Sequence, residues 1–225
     1  MQKYTILGLN LYDYTAREAL RNTDRFMSNG ALNTIAYISG VVLGQASKDE
    51  KLKECLEGLD MTVCTDPDIL EAAGIANRNR IREIDEKLYL RVLLKKLSRK
   101  HNSIYLLADT PANLEALREI LLDYQENLNI CKAGAYEEFG NHPERLVNEI
   151  NDLAPDVIIS RMPWPEDFLL MNDYKSYVNA ELWLSLPYGA ASWVQNPSLS
   201  ARLKRKLNYR KFIRLVLNYD KKTDS

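Results

Sequence analysis

The chain alternates between short, nearly continuous apolar runs and longer segments in which apolar residues recur every three or four positions. The short runs fall at residues 4–9, 33–39 (NTIAYIS), 61–64 (MTVC), 103–108 (SIYLLA), 129–133, 156–160 (DVIIS) and 181–186 (ELWLSL). Their length and their β-branched content predict buried strands. Between them lie helical patterns. Thr15, with Glu18 three residues on, makes a capping box that opens a helix carrying Ala16, Ala19, Leu20, Thr23 and Met27 at helical spacing, stopped by Gly30. A broken helical stretch covers 40–45 and 52–56, a long helix 81–100, and further helices 111–126, 142–153 and 166–177. Strands alternating with helices of this length build βαβ units, which close as a mostly parallel sheet with helices on both faces. The predicted fold is therefore α/β and Rossmann-like.

The stretch from Leu59 to Ile75 carries the first candidate chemistry. The strand at 61–64 breaks into an acidic turn in which Thr65 or Asp66 can cap a helix and Pro67 takes the first helical position, where no N–H is needed. In an open parallel sheet the ligand crevice lies beyond the carboxyl ends of the strands, so Thr65, Asp66 and Asp68 are candidate site residues. A purely capping role accounts for the same residues.

The last stretch differs in kind. Arg202, Lys204, Arg205, Lys206, Arg210, Lys211 and Arg214 cluster there, while Tyr209, Phe212, Ile213, Val216 and Leu217 repeat at helical spacing. A helix here has one apolar and one cationic face, the form of a segment lying at an anionic membrane interface. Each cation near such a surface adds roughly 1 kcal/mol. The other reading is a terminal helix packed on the core with a solvated outer face. Asn196-Pro197 marks the boundary, giving an α/β domain over 1–195 and a basic helical appendage over 196–225.

Composition narrows the partners. The net charge of −1 over 225 residues gives no global sign to steer a nucleic acid, and none is expected as a partner. Cys55, Cys64 and Cys131 are odd in number with no CxxC pair, and His101 and His142 stand alone, so neither a disulfide framework nor a zinc site is indicated. No metal or other cofactor is expected. There is no leader pattern and no apolar run long enough to span a bilayer, which predicts a cytoplasmic protein, peripheral at the inner face of the membrane. The chain has no GxGxxG, no GxxxxGK[ST] and no GxSxG.

The order of segments resembles a known family. ILGLNLYDYTAREAL is similar to the first strand and helix of the WecG/TagA/CpsF bacterial glycosyltransferases, and LGQASKDEKLKECLEGLDMTV to their second helix and central strand. SIYLLADTPANLEALREILLDYQENLNI resembles the family's fourth strand, helix and following strand, and LVNEINDLAPDVIIS the helix and strand before its glycine-rich loop. The resemblance implies transfer of an N-acetylmannosamine-type or related sugar from a UDP donor to a lipid-linked acceptor. It also implies a basic carboxyl-terminal segment that meets the membrane. A homo-oligomer is left open.

Carried over position by position, the family's proposed base, an Asp followed by Gly, falls on Thr65, with Asp66 next and Pro67 in place of the Gly. The family's Asn at the end of the second strand falls on Ser39. Its Gly-x-Pro-Lys-Gln-Glu loop falls on Met162-Pro163-Trp164-Pro165-Glu166-Asp167, and its later glycine-rich loop on Leu186-Pro187-Tyr188-Gly189. The chain thus resembles a divergent member whose donor loops have changed. Arg78, Arg80 and Arg82 are candidate diphosphate partners, or else solvated loop charges, and Trp164 is a candidate stacking surface for a base or sugar. A non-catalytic relative serving as a binding or scaffolding subunit is the alternative; an unrelated nucleotide-binding α/β module is a third.

Overall fold

The computed structural model describes residues 1–140, 142–188, 207 and 210–219. The chain runs through β1 (Gln2–Ile6), β2 (Leu9–Asp13), α1 (Ala16–Phe26), β3 (Asn33–Ile38), α2 (Gly40–Ala46), α3 (Glu50–Glu57) and β4 (Met61–Cys64). It continues with α4 (Pro67–Ala72), α5 (Arg78–Asp85), α6 (Leu88–Arg99), β5 (Ser103–Ala108), α7 (Pro111–Tyr124) and β6 (Asn129–Ala135). A 3-10 turn at Tyr136–Phe139 precedes α8 (Pro143–Leu153), β7 (Val157–Arg161), α9 (Glu166–Tyr174) and β8 (Leu182–Ser185). Residues 210–219 are also helical.

Six parallel strands form the sheet, in the order β4-β3-β8-β7-β5-β6. The predicted α/β class holds. Neighbouring residues on a strand point to opposite faces, and both faces are covered. Ile35, Leu106, Ile159 and Leu184 meet α1, α6 and α7 through Ala19, Leu90, Leu93, Leu97, Leu117 and Leu121. On the other face Ala36 and Ile38 meet α2, α3 and α9 through Leu43, Leu56 and Phe168. Leu107, Ile158 and Trp183 meet α8 and α9 there, through Leu146, Ile150 and Met171.

Two elements differ from the sequence expectation. The strand expected at 4–9 is a separate antiparallel hairpin of β1 and β2. Its two-residue turn, Leu7-Gly8, has positive φ at both positions (52° and 73°), the pattern whose twist matches a hairpin. Leu7 is buried there, and the usual Asn-Gly signal is missing. The single helix expected over 81–100 is broken at Lys87, which is left-handed with φ 50°. Ile84 belongs to the hairpin-side core and Leu90 and Leu93 to the opposite one, so a straight helix cannot serve both.

The basic tail had two readings, and the structure separates them. Phe212 and Val216 are buried in the hairpin-side core, with Leu215 and Tyr219 packed against it, while Leu217 is 55% exposed. Three glycines make room. A Cβ added at Gly40 would lie 3.0 Å from the Phe212 ring, one at Gly44 2.8 Å from Leu215, and one at Gly8 2.2 Å from the Tyr219 hydroxyl. Of the two readings of this segment, the described residues follow the packed one: Phe212 and Val216 are used inside the fold. Arg210, Lys211 and Arg214 are exposed on the outer side; Arg202, Lys204, Arg205, Lys206 and Tyr209 lie outside the described residues.

Candidate functional site

The carboxyl ends of the strands lie side by side. Ile38 pairs with Cys64, so Ser39 and Thr65 leave the sheet together. Ser160 pairs with Ser185 and Ala108 with Arg161, which brings the ends of β8, β7 and β5 to the same edge. The crossover from β5 through α7 leads outward to β6, whereas that from β7 through α9 leads back to β8. Right-handed crossovers in opposite directions put α7 and α9 on opposite faces, and a crevice opens between the adjacent strands. That switch point lies between β5 and β7.

At the β4 end, Asp66 is half-buried and is the N-cap residue of α4 by backbone, but its side chain does not cap the helix. The expected bland role as a cap is thus not what its carboxylate does. Thr65 is used differently: its Oγ1 donates 2.8 Å to the Ile38 carbonyl, tying the end of β4 to that of β3. Ser39 caps α2, its Oγ accepting from the Val42 amide at 3.3 Å. Asp68 stands in the first turn of α4.

The three arginines go separate ways. Arg80 is buried and donates bidentately to Asp13, Nε to Oδ2 at 2.9 Å and Nη2 to Oδ1 at 2.6 Å, while Nη1 pairs with Glu83. Burial depresses its pKa, but Asp13 and then Glu83 more than reverse this and raise it. Glu83 also accepts from the Ala16 amide at the start of α1. This network joins the hairpin, α1 and α5, and it leaves Arg80 engaged by two carboxylates rather than open to a diphosphate. Arg82 pairs with Glu86 on the solvent side, and Arg78 is exposed at the start of α5.

At the β7 and β8 ends a buried polar network supports the edge. Asp167, 1% exposed, accepts from Ser185 at 2.6 Å and Ser160 at 3.0 Å, and Ser160 accepts from the Trp183 indole at 3.0 Å. Asp167 Oδ1 has no hydrogen-bond partner among the described residues. Burial pushes its pKa up to about 6, against the pull of Ser185, Ser160 and the Met162 backbone amide. Trp164 is half-buried and stands edge-on to Phe168 at 4.8 Å, packed on the hairpin-side core.

The crevice between β5 and β7 holds residues the sequence had not singled out. Asp109 follows β5 and Arg161 ends β7. Tyr188 reaches across, its hydroxyl donating 2.9 Å to Asp109 Oδ2, while Asn113 donates 2.8 Å to Oδ1. The Asp109 hydrogen bond raises the Tyr188 pKa. Arg161 Nε donates 3.2 Å to the Pro187 carbonyl, and its guanidinium lies 5.9 Å from the Tyr188 ring centroid. The available signal is a charged residue directly after an apolar run, SIYLLA ending at Ala108 and DVIIS at Ser160. Gly189 lies outside the described residues.

A groove between α1 and α6 is lined by Leu20, Met27, Leu93 and Leu97, and it carries none of these strand-end groups. Among the described residues no three His, Cys, Asp or Glu side chains converge to hold a metal ion, and no helix is long and apolar enough to cross a membrane. Compared with known families, residues 4–218 match the model described as the glycosyl transferase WecG/TagA/CpsF family. Comparison with curated proteins returned no match.

Proposed function

The chain belongs to the WecG/TagA/CpsF family of glycosyltransferases, which acts in cell-wall polysaccharide synthesis, and on that premise we propose that it moves an N-acetylmannosamine-type or related sugar from a UDP donor to a lipid-linked acceptor. The observation that carries the catalytic part is the position of Asp66, a half-buried carboxylate at the carboxyl end of β4, next to Thr65 and the end of β3. The acceptor hydroxyl oxygen attacks the anomeric carbon, the bond from that carbon to the diphosphate breaks, UDP leaves, and Asp66 takes the hydroxyl proton. A positioned base of this kind contributes about 10²–10⁴-fold. The work takes place at the cytoplasmic face of the membrane, with Arg210, Lys211 and Arg214 turned to anionic lipid.

The test is UDP release from a panel of UDP-sugars with a lipid-linked acceptor. Asp66→Asn is expected to lower kcat at least 100-fold with an unchanged melting temperature. Unchanged turnover removes Asp66 from the chemistry.

One observation favours a second reading, a non-catalytic binding or scaffolding subunit of the same pathway: Tyr188 is hydrogen-bonded to Asp109 across the switch-point crevice. Calorimetry that finds UDP-sugar binding without any transfer supports it, and turnover by the intact protein sinks it.

A further inference from the structure

Arg161 is a cation without a counter-ion among the described residues. It is half-buried, and of its guanidinium nitrogens only Nε is hydrogen-bonded there, to the Pro187 carbonyl. The nearby carboxylate is already satisfied. Asp109 spends Oδ1 on Asn113 and Oδ2 on Tyr188, so it acts on Arg161 as a neighbouring charge and makes no ion pair with it. Burial lowers the Arg161 pKa, with Tyr188 and Asp109 offsetting part of the effect. A guanidinium held partly out of water with two nitrogens unspent is stabilised by an arriving anion, and its planar fork matches phosphate oxygens bidentately.

Its place in the fold sharpens the case. Arg161 ends β7, directly beside β5, and the crevice between these strands is the point where the crossovers diverge. In open α/β sheets ligands bind there. The loop that follows, Met162-Pro163-Trp164-Pro165, supplies no cation, and two of its four residues lack a backbone N–H. An anion at this edge must therefore be met by another group. Arg161, at the end of β7, is a cation that stands at this edge.

We propose that Arg161 is the binding residue for the diphosphate of the donor, an inference that rests on the nucleotide-sugar reading given above. β4 and β7 are three strand spacings apart in the sheet, about 14 Å at roughly 4.8 Å each. Asp66 and Arg161 therefore meet different parts of an extended ligand: Asp66 the acceptor hydroxyl, Arg161 the leaving diphosphate. The charge that develops on the departing UDP is then met by a fixed cation that no carboxylate among the described residues pairs with.

The experiment is calorimetric titration of UDP, uridine and inorganic pyrophosphate into the intact protein, Arg161→Gln and Arg161→Lys, with melting temperatures recorded for all three. Arg161→Gln is expected to weaken UDP binding by about 10- to 100-fold, the range of a lost charge-assisted hydrogen-bond pair, and to leave uridine binding unchanged. Arg161→Lys keeps the charge without the fork and should fall between. If UDP affinity is unchanged in Arg161→Gln, or uridine falls as much as UDP, the assignment of Arg161 is wrong while the donor reading stands. If the intact protein binds pyrophosphate through Arg161 but shows no preference for UDP, the anion site stands and the nucleotide donor does not. Binding of neither UDP nor pyrophosphate overturns both.

Discussion

Arg80 offers the sharpest separation between a ligand-binding residue and a structural one. Arg80 is 7% exposed and Asp13 is 9% exposed, so Arg80→Met leaves a carboxylate buried in the hairpin without its bidentate partner and frees Glu83 from Nη1. Breaking a buried pair by removing one member costs about 3–5 kcal/mol, chiefly because the remaining charge is uncompensated. In a domain of this size 1 kcal/mol moves the melting temperature by about 2–4 °C, so the expected loss is roughly 6–20 °C. The double variant Asp13→Leu/Arg80→Met removes both charges and should recover much of that loss. Differential scanning calorimetry of the single and double variants, with UDP titrated into each at a temperature where it is folded, reads both quantities. A melting temperature within 2 °C of the intact protein together with a tenfold loss of UDP affinity would refute the structural assignment and restore Arg80 as a diphosphate ligand.

Two more expectations follow from buried charge and from the tail. Asp167 holds its proton up to about pH 6 in the folded chain but only to about 3.8 when unfolded, so its contribution favours the native state at low pH and is lost as pH rises between these values. The difference is on the order of 3 kcal/mol. Asp167→Asn should therefore gain stability relative to the intact protein between pH 4 and pH 7, measured by urea midpoints, and an equal difference at both pH values would show that the carboxyl does not titrate there. For the tail, Phe212→Ala should lower stability by about 3 kcal/mol with little effect on vesicle binding, whereas Arg210→Glu/Lys211→Glu/Arg214→Glu should do the reverse in co-sedimentation with anionic vesicles. A Phe212→Ala protein that is as stable as the parent but no longer binds vesicles contradicts the packing seen here.

The fold was legible where local pattern and tertiary role coincide. The strands of the sheet are buried on both faces, so they write continuous apolar runs such as SIYLLA and DVIIS, and the capping box at Thr15 and Glu18 forms as its spacing predicts. The hairpin was missed because its turn rests on Leu7 at positive φ, a conformation that burial of the side chain enforces and sequence does not announce. The break at Lys87 was missed because the apolar spacing runs on through it while the faces it serves exchange. At the candidate site the turn after β4 was found from its strand-cap-helix pattern. Arg161 and Asp109 were not, because their proximity depends on β7 lying beside β5, a pairing between segments some fifty residues apart that no local signal carries.

The tail shows how one pattern can serve two ends. An amphipathic basic helix is equally the sequence of a lipid-facing anchor and of a terminal helix on a core, and what decides between them is the surface waiting for its apolar face. Here that surface exists: α2 presents Gly40 and Gly44 one turn apart, and the hairpin adds Gly8, so the helix backbone can come close enough for Phe212 and Val216 to be buried. With those two residues spent inside the protein, what the described part of the helix offers a membrane is chiefly the attraction of its outward cations, Arg210, Lys211 and Arg214. Such attraction is long-ranged but screened, with a reach of about 8 Å at physiological ionic strength. On the function proposed above, that attraction is what brings the domain to a negatively charged leaflet, without inserting it. The same contact places Phe212 against Gly40, directly after Ser39 at the end of β3, so the helix that carries these cations also buttresses one side of the edge where Thr65 and Asp66 stand.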